Sequence, residues 1–420
     1  MLPRRTEVMS VRKRKWSTGK GVEKEAWIVD YTDTKGVRRL KTFTKKKDAD
    51  AFAARAAVEV REGVHVADSA SVTVVQAGRF WISSAEGARL ERSTINQYRQ
   101  HLDLHIAPLI GEKLLSKLTV PTVREFEDRL RQDGRSPAMV RKVLTSLGSL
   151  LADAQERGLV TRNAVREKSR ARRKGQERRQ EKRHKGKLKV GVDIPTREEI
   201  KAVVAVLQGR WRPLFLTAIF CGLRASELRG LRWCDVDMEK KLVHIRQRAD
   251  RFNEIGRPKS EAGERTVPAP PIVINALREW CLICPKRDAE QKGADGETQK
   301  ILDLVFPNGK GKVESLGNIV NRGLIPIQID AGVTVGSGET DENGNAILVA
   351  KYTGMHALRH FYASWCINRR EDGGLALPPK VIQERLGHSS IVMTMDVYGH
   401  LFPRGDDADE MAEAERSLLA

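Results

Sequence analysis

Five side chains in this 420-residue chain have types and spacings suited to phosphoryl chemistry. They are Arg224 in CGLRASEL, His356 and Arg359 in HALRH, His388 in LGHSS, and Tyr398 directly before a Gly-His pair. Guanidinium groups stay charged and grip two phosphate oxygens at once. A phenol attacks phosphorus once its proton, with an ordinary pKa of about 10, has been removed. The set therefore indicates an enzyme that holds a phosphodiester of DNA and attacks it with a tyrosine, without a metal.

Two further residues meet the remaining needs of strand cleavage. Glu227 comes three residues after Arg224 and is placed to orient that guanidinium. Lys259 lies in RPKSEAGERTVP, in the apparent turn between two strands, where its ammonium would enter a DNA groove and reach the leaving 5′-oxygen. Each residue alone has an ordinary interpretation, since an Arg-x-x-Glu pair is commonly a surface ion pair worth about 0–1 kcal/mol. The hypothesis therefore depends on the ordered set.

The elements that must position these residues lie within residues 193–402. Helices are predicted from Thr196 and over 211–221, 272–281, 315–329, 355–370 and 378–387, with a small antiparallel sheet over 233–268. The spacing of His356 and Arg359 puts both on one face of a helix. Residues 332–354 are rich in Gly and polar side chains and are predicted to form a surface loop or insertion.

These strings resemble the tyrosine recombinases of the phage-integrase family. The matching strings are CGLRASELRGLRWCDVD, the Lys259 hairpin ending in GERTVP, FPNG, HALRHFYASW and LGHSSIVMTMDVYGH, and they cover most of residues 193–402. The resemblance implies that Arg224 and Arg359 clamp the phosphate and that Tyr398 forms a 3′-phosphotyrosyl link. It also implies that Lys259 protonates the leaving oxygen, that His356 exchanges a proton with the tyrosine, that His388 binds a phosphate oxygen and that Glu227 supports Arg224. His360 and His400 also match family positions and are assigned structural roles.

Two smaller domains are predicted before the catalytic one. Residues 10–62 contain a hairpin over 26–43 and a helix over 44–62 with Thr44 as its N-cap, and this basic ββα unit is predicted to contact DNA through Arg38, Arg39 and Lys41. Residues 72–165 predict an all-α domain with helices at 72–84, 93–106, 119–132 and 136–157, capped at Ser93 and Ser136. By resemblance, the first is a module for arm-type sites and the second a helical, SAM-like core-binding domain.

The positive charge is concentrated in two stretches. Of the formal net charge of +20, residues 1–62 carry +8 and residues 166–189 carry +10. Residues 166–192 are therefore predicted to be a solvated basic linker that neutralises DNA phosphates, through Arg172, Arg173 and Lys174 among others. The acidic tail, residues 403–420, is expected either to dock on a basic partner surface or to remain a solvated, frayed end.

The composition argues against several classes of protein. No apolar segment follows the basic N-terminus, and the longest apolar stretch is about half the ~20 residues that a membrane span needs. We expect a protein of the bacterial cytoplasm, associated with the nucleoid. The five Cys have no framework spacing, and Cys281 and Cys284 lack the second pair that a zinc site requires, so neither a metal nor another cofactor is predicted.

The predicted fold class is α+β: mainly α with small antiparallel sheets, ending in an α-rich catalytic domain of the DNA breaking-rejoining type. The expected partners are double-stranded DNA, with core-type and arm-type sites, further copies of the chain in a homotetramer, and an accessory DNA-bending protein. The function predicted is integration or excision of a phage or other mobile element. A type IB topoisomerase and a non-enzymatic DNA-binding protein with the same fold are the alternatives.

Overall fold

The chain folds into two compact units, Met1–Lys185 and Gly186–Ala420. The structure, a computed structural model, describes residues 9–17, 23–34, 36–62, 65, 67, 71–173, 187–288, 300–342, 344–403 and 407–420. Separate apolar cores form beneath the N-terminal sheet, within a helical bundle, and within the second unit. The predicted fold class, mainly α with small antiparallel sheets, is confirmed.

The first unit begins with a three-stranded antiparallel sheet and a helix. They are β1 (Ser10–Ser17), β2 (Glu23–Thr32), β3 (Arg38–Phe43) and α1 (Lys46–Arg61), with strand order β1-β2-β3. Successive side chains of a strand point to opposite faces, so Val29 and Tyr31 of β2 share one core with Phe52 of α1. The predicted hairpin and helix are confirmed. However, β1 was not predicted, and the helix is preceded by Lys45 rather than capped by Thr44.

A helical bundle completes the first unit. Its helices are α2 (Val74–Gly87), α3 (Arg92–His101), α4 (Ala107–Ile110), α5 (Val120–Gln132), α6 (Pro137–Glu156) and α7 (Ala164–Arg173), with a π-helical turn at Leu102–Ile106 between α3 and α4. The Ser136 side chain caps α6 by accepting a hydrogen bond from the Met139 backbone N–H, as predicted. The predicted cap at Ser93 is wrong, because α3 follows Glu91 and already includes Ser93.

The basic stretch predicted to be a solvated linker begins as part of the bundle. Helix α7 carries Lys168, whose buried ammonium forms an ion pair with the buried carboxylate of Glu127 on α5. A buried charge without a partner is costly, so this pair fixes the start of the stretch to the bundle. Arg172 and Arg173 lie in the last turn of α7, and Lys174 lies outside the described residues.

The helices of the second unit surround the largest core. They are α8 (Arg197–Val206), α9 (Trp211–Cys221), α10 (Ala225–Gly230), α11 (Pro271–Ile283), α12 (Leu316–Ile319), α13 (Ile325–Asp330), α14 (His356–Ile367), α15 (Pro379–Leu386) and α16 (Ile391–Tyr398). Thr196 caps α8 and exchanges hydrogen bonds with Glu199, which confirms the predicted start of that helix. Helix α9 is apolar on nearly all sides, and its central position explains why.

Short antiparallel strands complete the second unit. They are β4 (Val236–Asp237), β5 (Leu242–Ile245), β6 (Arg248–Ala249), β7 (Ile255–Gly256), β8 (Arg265–Pro268), β9 (Arg287–Asp288), β10 (Lys300–Ile301), β11 (Thr334–Thr340) and β12 (Ala346–Ala350). Strands β4, β5 and β8 form one sheet in that order, while β6–β7, β9–β10 and β11–β12 pair two by two. The pairing of β5 with β8 brings Ile245 opposite Arg265 and so sets the position of Arg265.

The segment predicted to be a surface loop over 332–354 is instead a hairpin. Strands β11 and β12 pair from Thr334 opposite Ala350 to Thr340 opposite Ala346, with an irregularity between. The second strand, residues 346–350, contains the β-branched Ile347 and Val349 and supplies the β propensity that the Gly-rich composition concealed. The hairpin ends just before α14, the helix that carries His356 and Arg359.

The acidic C-terminal residues also adopt regular structure. Residues Asp407–Leu419 form a helix, α17, with exposed apolar side chains at Met411, Leu418 and Leu419. In the part of the chain that the structure describes, no helix combines the length and apolar character that crossing a membrane demands.

Candidate active site

Arg224 is positioned by a tight turn between α9 and α10. Gly222 ends α9 in the left-handed conformation, at φ +63°, and Arg224 directly precedes the first residue of α10. A Cβ on Gly222 would lie 2.2 Å from the Tyr362 ring, so the turn requires glycine both for its backbone angle and for space. The CGLRASEL string therefore encodes a compact turn that presents an arginine.

Glu227 is the buried anion of the site, with 3% of its surface exposed. Its carboxylate accepts hydrogen bonds from Arg224 Nη1 at 2.8 Å and from Arg265 Nη1 and Nη2 at 3.0 and 2.8 Å. Burial favours a raised pKa, but the hydrogen bonds and charge of Arg265, with the charges of Arg359 and Arg224, lower the pKa of Glu227 to about 2. The structure thus places this carboxylate against Arg224, where the sequence predicts it, and makes it a buried group rather than a surface partner.

Arg265, at the start of β8, is a site residue that sequence reasoning missed. Beyond its two bonds to Glu227, its Nε donates to the Arg385 carbonyl at 2.7 Å and its Nη1 to the Gly263 carbonyl at 3.1 Å. Strand alternation was the available signal, because Val267, two residues on, is fully buried and shares the inward parity of Arg265. The matching string GERTVP contains Arg265, but the string alone does not show that Arg265 pairs with the buried Glu227.

Arg359 lies deeper than Arg224, with only 2% of its surface exposed. Its Nη1 donates to the carbonyl of Gly222 at 2.7 Å, and its Nη2 donates to the carbonyl of Leu386. Burial, reinforced by the charge of Arg224, lowers the pKa of Arg359 to about 9, which leaves the guanidinium charged at neutral pH. Arg224 completes the link by donating from Nη2 to the Gly387 carbonyl at 3.1 Å.

His388 is held in the turn between α15 and α16. Gly387 ends α15 at φ +60°, and the buried His388 ring places Nδ1 at 2.9 Å from the Thr394 hydroxyl. Its ring is stacked parallel to that of Tyr398, with centroids 6.3 Å apart. Burial lowers the pKa of His388 to about 4, and the nearby positive charges of Arg359 and Arg224 act in the same direction.

Tyr398 is the last residue of α16 and is almost completely buried, at 2% exposure. Its hydroxyl lies 2.7 Å from Nδ1 of His360. Burial raises the pKa of Tyr398 to about 12, against the opposing charges of Arg359 and Arg224. The phenol is therefore protonated at neutral pH and lies within the field of both arginines.

The two histidines of α14 occupy different positions. His356 is exposed at the start of the helix, and partial burial of its ring, with the charges of Arg359 and Arg224, lowers its pKa. Its ring meets that of His360 edge to face, with centroids 4.9 Å apart. His360, not His356, reaches the Tyr398 hydroxyl, although the sequence suggested only a structural role for His360. Residues four apart share a helix face, so the sequence places His360 beside His356, but it does not place Tyr398 beside His360.

Lys259 and His400 lie on other segments of the second unit. Lys259 is exposed in the segment between β7 and β8, six residues before Arg265. His400 Nε2 lies 2.8 Å from the Leu188 carbonyl, which agrees with a structural role.

The cysteine pair lies at the end of a helix. Cys281 is in the last turn of α11, and Cys284 follows its end. Over the described ranges, no three or more His, Cys, Asp or Glu side chains are grouped as a metal site would need.

The three basic residues predicted to contact DNA from the N-terminal module lie on both faces of its sheet. Arg38 occupies the face away from α1 and forms an ion pair with Asp30. Arg39 and Lys41 have the parity of the α1 face: Arg39 Nε bonds Asp33 at 2.8 Å, and Lys41 Nζ lies 4.3 Å from the centre of the Phe52 ring. Arg39 and Lys41 therefore take part in contacts within the module.

Comparison with known proteins identifies relatives that cover most of the chain. Residues 196–404 match the profile of the Phage integrase family. The chain is 26% identical over 377 residues to a tyrosine recombinase XerC-like protein of Caldanaerobacter subterraneus subsp. tengcongensis, which covers 86% of this chain and 87% of that protein. It is 22% identical over 324 residues to the ICEBs1 integrase of Bacillus subtilis, with 76% of each chain covered.

A solved structure shares the fold. The integrase of transposon Tn1549, in complex with transposon right end DNA, is similar with a TM-score of 0.58 and 19% sequence identity, and the match covers 83% of this chain and 100% of that one.

The low pKa of Glu227 predicts how stability depends on pH. Its folded value of about 2 lies below the ordinary 4.5, so its contribution is complete above pH 4.5 and disappears as the pH falls towards 2. Glu227→Gln should remove this dependence, which is on the order of 3 kcal/mol at about 1.4 kcal/mol per pKa unit. Urea unfolding of the full chain between pH 5 and pH 2.5 measures it. The exposed Glu239→Gln serves as the control, and parallel profiles for wild type and Glu227→Gln would contradict the assignment.

Proposed function

The chain belongs to the Phage integrase family of tyrosine recombinases, and we propose that it cuts and rejoins DNA strands through a 3′-phosphotyrosyl link to Tyr398. The observation that carries the proposal is the burial of the Tyr398 phenol in the field of Arg224 and Arg359. Both arginines are held by backbone carbonyls from the turns on either side, so their charges are fixed before DNA arrives. Fixed charges cost no reorganisation when a transition state forms.

The phosphate is bound by the two arginines. Arg224 is about one-third exposed, at 33% of its side chain, and is the guanidinium within reach of an incoming phosphodiester. Arg359 adds charge from a buried position, and the neutral His388 supplies a further hydrogen-bonding group. The negative charge that builds on the non-bridging oxygens in the transition state is stabilised by these groups.

The leaving 5′-oxygen needs a proton, and Lys259 is assigned to supply it. Its place on the exposed segment before β8 suits a side chain that enters a DNA groove. Strand β8 begins with Arg265, which bonds Glu227, so the segment that carries Lys259 is tied to the phosphate-binding residues. His356, exposed at the mouth of the site, takes part in the proton exchange of the tyrosine.

The partners we assign are double-stranded DNA and further copies of the chain. The structurally similar Tn1549 integrase is in complex with DNA, and the ICEBs1 integrase is a relative of this chain. From the resemblance of its motifs to the phage-integrase family, we assign the chain a homotetrameric assembly on core-type sites of a phage or other mobile element, an accessory DNA-bending protein, and a place at the bacterial nucleoid.

A second, arm-type DNA contact is assigned to the N-terminal sheet. The sheet face away from α1 carries Arg12, Arg14 and Trp16 of β1 and Arg38 of β3, all exposed. Arg12 and Arg38 share the Asp30 carboxylate, which fixes them on the sheet surface. A sheet face that carries several exposed guanidinium groups and an exposed indole suits contact with phosphates and base edges.

Cleavage of a nicked duplex tests the proposed chemistry. On duplexes tiled across the DNA that flanks the gene, wild-type protein should form a covalent adduct in which the released strand carries a free 5′-hydroxyl, and Tyr398→Phe should form none. Denaturing gels that resolve the protein–DNA adduct give the readout. Binding without any adduct from wild-type protein would favour a non-enzymatic DNA-binding protein, and an adduct in Tyr398→Phe would exclude Tyr398 as the nucleophile.

The arm-type assignment predicts a difference between adjacent residues of β1. Arg14→Ala should lose protection of a DNA region separate from the core while core cleavage stays within about two-fold of wild type, since each lost phosphate contact weakens binding and reduces its salt dependence. Lys13 has the opposite strand parity and pairs with Glu25, so Lys13→Ala is the matched control. Footprinting of the full chain measures both, and equal effects of the two variants would contradict the assignment.

A further inference from the structure

We propose that His360 accepts the proton of Tyr398 as the tyrosine attacks DNA, and that His356 acts only through His360. This inference rests on the proposed recombinase chemistry and identifies a further catalytic residue for it.

The geometry that carries the proposal is the hydrogen bond between the two side chains. His360 Nδ1 lies 2.7 Å from the Tyr398 hydroxyl, and this is the one hydrogen bond of that hydroxyl to the described residues. A general base must lie within about 2.6–3.2 Å of the atom whose proton it takes. His360 meets that requirement in the protein alone, before DNA binds.

The helix that holds Arg359 also fixes His360. Helix α14 carries His356, Arg359 and His360 within five consecutive residues, and buried neighbours such as Leu358 and Phe361 lock its orientation. The His356 ring packs edge to face on the His360 ring at 4.9 Å. A substitution at His356 therefore changes the surroundings of His360 without removing the group that touches the nucleophile.

The protonation states are those that proton transfer needs. Burial, with the nearby His356 and Arg359, lowers the pKa of His360 to about 4 against a raising effect of Asp193, so the ring is neutral. With its proton on Nε2, the neutral ring presents a lone pair at Nδ1 to the protonated phenol. A bound phosphodiester brings a negative charge that offsets Arg359 and raises the pKa of His360, which makes the ring a stronger base when it is needed.

The step balances without a further reactant. The hydroxyl proton of Tyr398 moves to His360 Nδ1, the phenolic oxygen forms a bond to phosphorus, and the bond from phosphorus to the 5′-oxygen breaks. Lys259 gives a proton to that leaving oxygen. In rejoining, the 5′-hydroxyl attacks, its proton returns to Lys259, and the departing phenolate recovers its proton from His360.

Two substitutions at His360 separate proton transfer from positioning. His360→Asn places an amide oxygen near the position of Nδ1, so it keeps an acceptor for the tyrosine hydroxyl but cannot take up the proton; His360→Ala removes both. In single-turnover cleavage of the nicked duplex by the full chain, both variants should be slower than wild type by about 10²-fold or more, the usual range for a general base. His360→Asn with a near-wild-type rate would overturn the proposal, because it would make His360 a positioning residue.

Controls at two other histidines define the expected order. His356→Asn should slow cleavage less than His360→Asn, and the reverse order would overturn the proposal. His244→Gln, at a half-buried histidine of β5 that bonds Thr266, should cleave like wild type. DNA affinity and unfolding midpoint are measured for each variant. If His360→Asn does not fold, His360→Gln takes its place with the same expectation.

A sulfur substitution in DNA identifies the side of the reaction on which His360 acts. A duplex with sulfur in place of the leaving 5′-oxygen needs no proton on its leaving group. Lys259→Ala should regain most of its rate on this duplex, while the His360 variants should remain slow. Recovery of His360→Asn on the sulfur duplex would place His360 on the leaving-group side and overturn the proposal. Failure of wild-type protein to form any adduct would instead remove the proposed function itself.

Discussion

The catalytic unit depends on the ion pairs that the buried carboxylate of Glu227 forms with Arg224 and Arg265. The guanidinium groups of Arg224, Arg265 and Arg359 all lie close enough to lower the pKa of Glu227. Because these three positive charges repel one another, a buried anion is needed among them. Glu227 binds two of them directly and leaves Arg224 partly exposed. Removing one partner of a buried ion pair leaves the other charge uncompensated and lowers the stability of the fold by about 3–5 kcal/mol. The site is thus held together by one carboxylate rather than by the surface ion pair that Arg-x-x-Glu usually forms.

Two helix ends connect this charge cluster to the fold. Gly222 ends α9 and Gly387 ends α15, both in the left-handed conformation, and their carbonyls accept hydrogen bonds from Arg359 and Arg224 respectively. The carbonyl end of a helix carries partial negative charge and favours cations. Each arginine therefore binds the end of a helix that does not carry it, so the elements that hold the arginines and the tyrosine are joined at the site.

The sequence identified those parts of the site whose signals are local. Arg224, His356, Arg359, His388 and Tyr398 each stand in a short string, and their order along the chain distinguishes them from isolated residues. Arg265 was missed because its partner Glu227 is 38 residues away on helix α10, and only the tertiary fold brings the two together. His360 was misjudged because only the tertiary fold places Tyr398 beside it. The β11–β12 hairpin and the start of α7 were predicted wrongly for a related reason. A polar or charged composition indicates exposure to solvent, but it does not show the strand pairing of β11 with β12 or the buried ion pair of Lys168.

In the proposed reaction, the arginines act on the charge that develops during cleavage rather than on the affinity for DNA. Single-turnover cleavage rates and DNA dissociation constants of wild type and Arg224→Ala test it most directly. Fixed donors of this kind contribute about 10²–10³-fold to rate. We expect Arg224→Ala to lose at least that much in cleavage rate, with a dissociation constant within a few-fold of wild type. Equal losses in rate and affinity would contradict it.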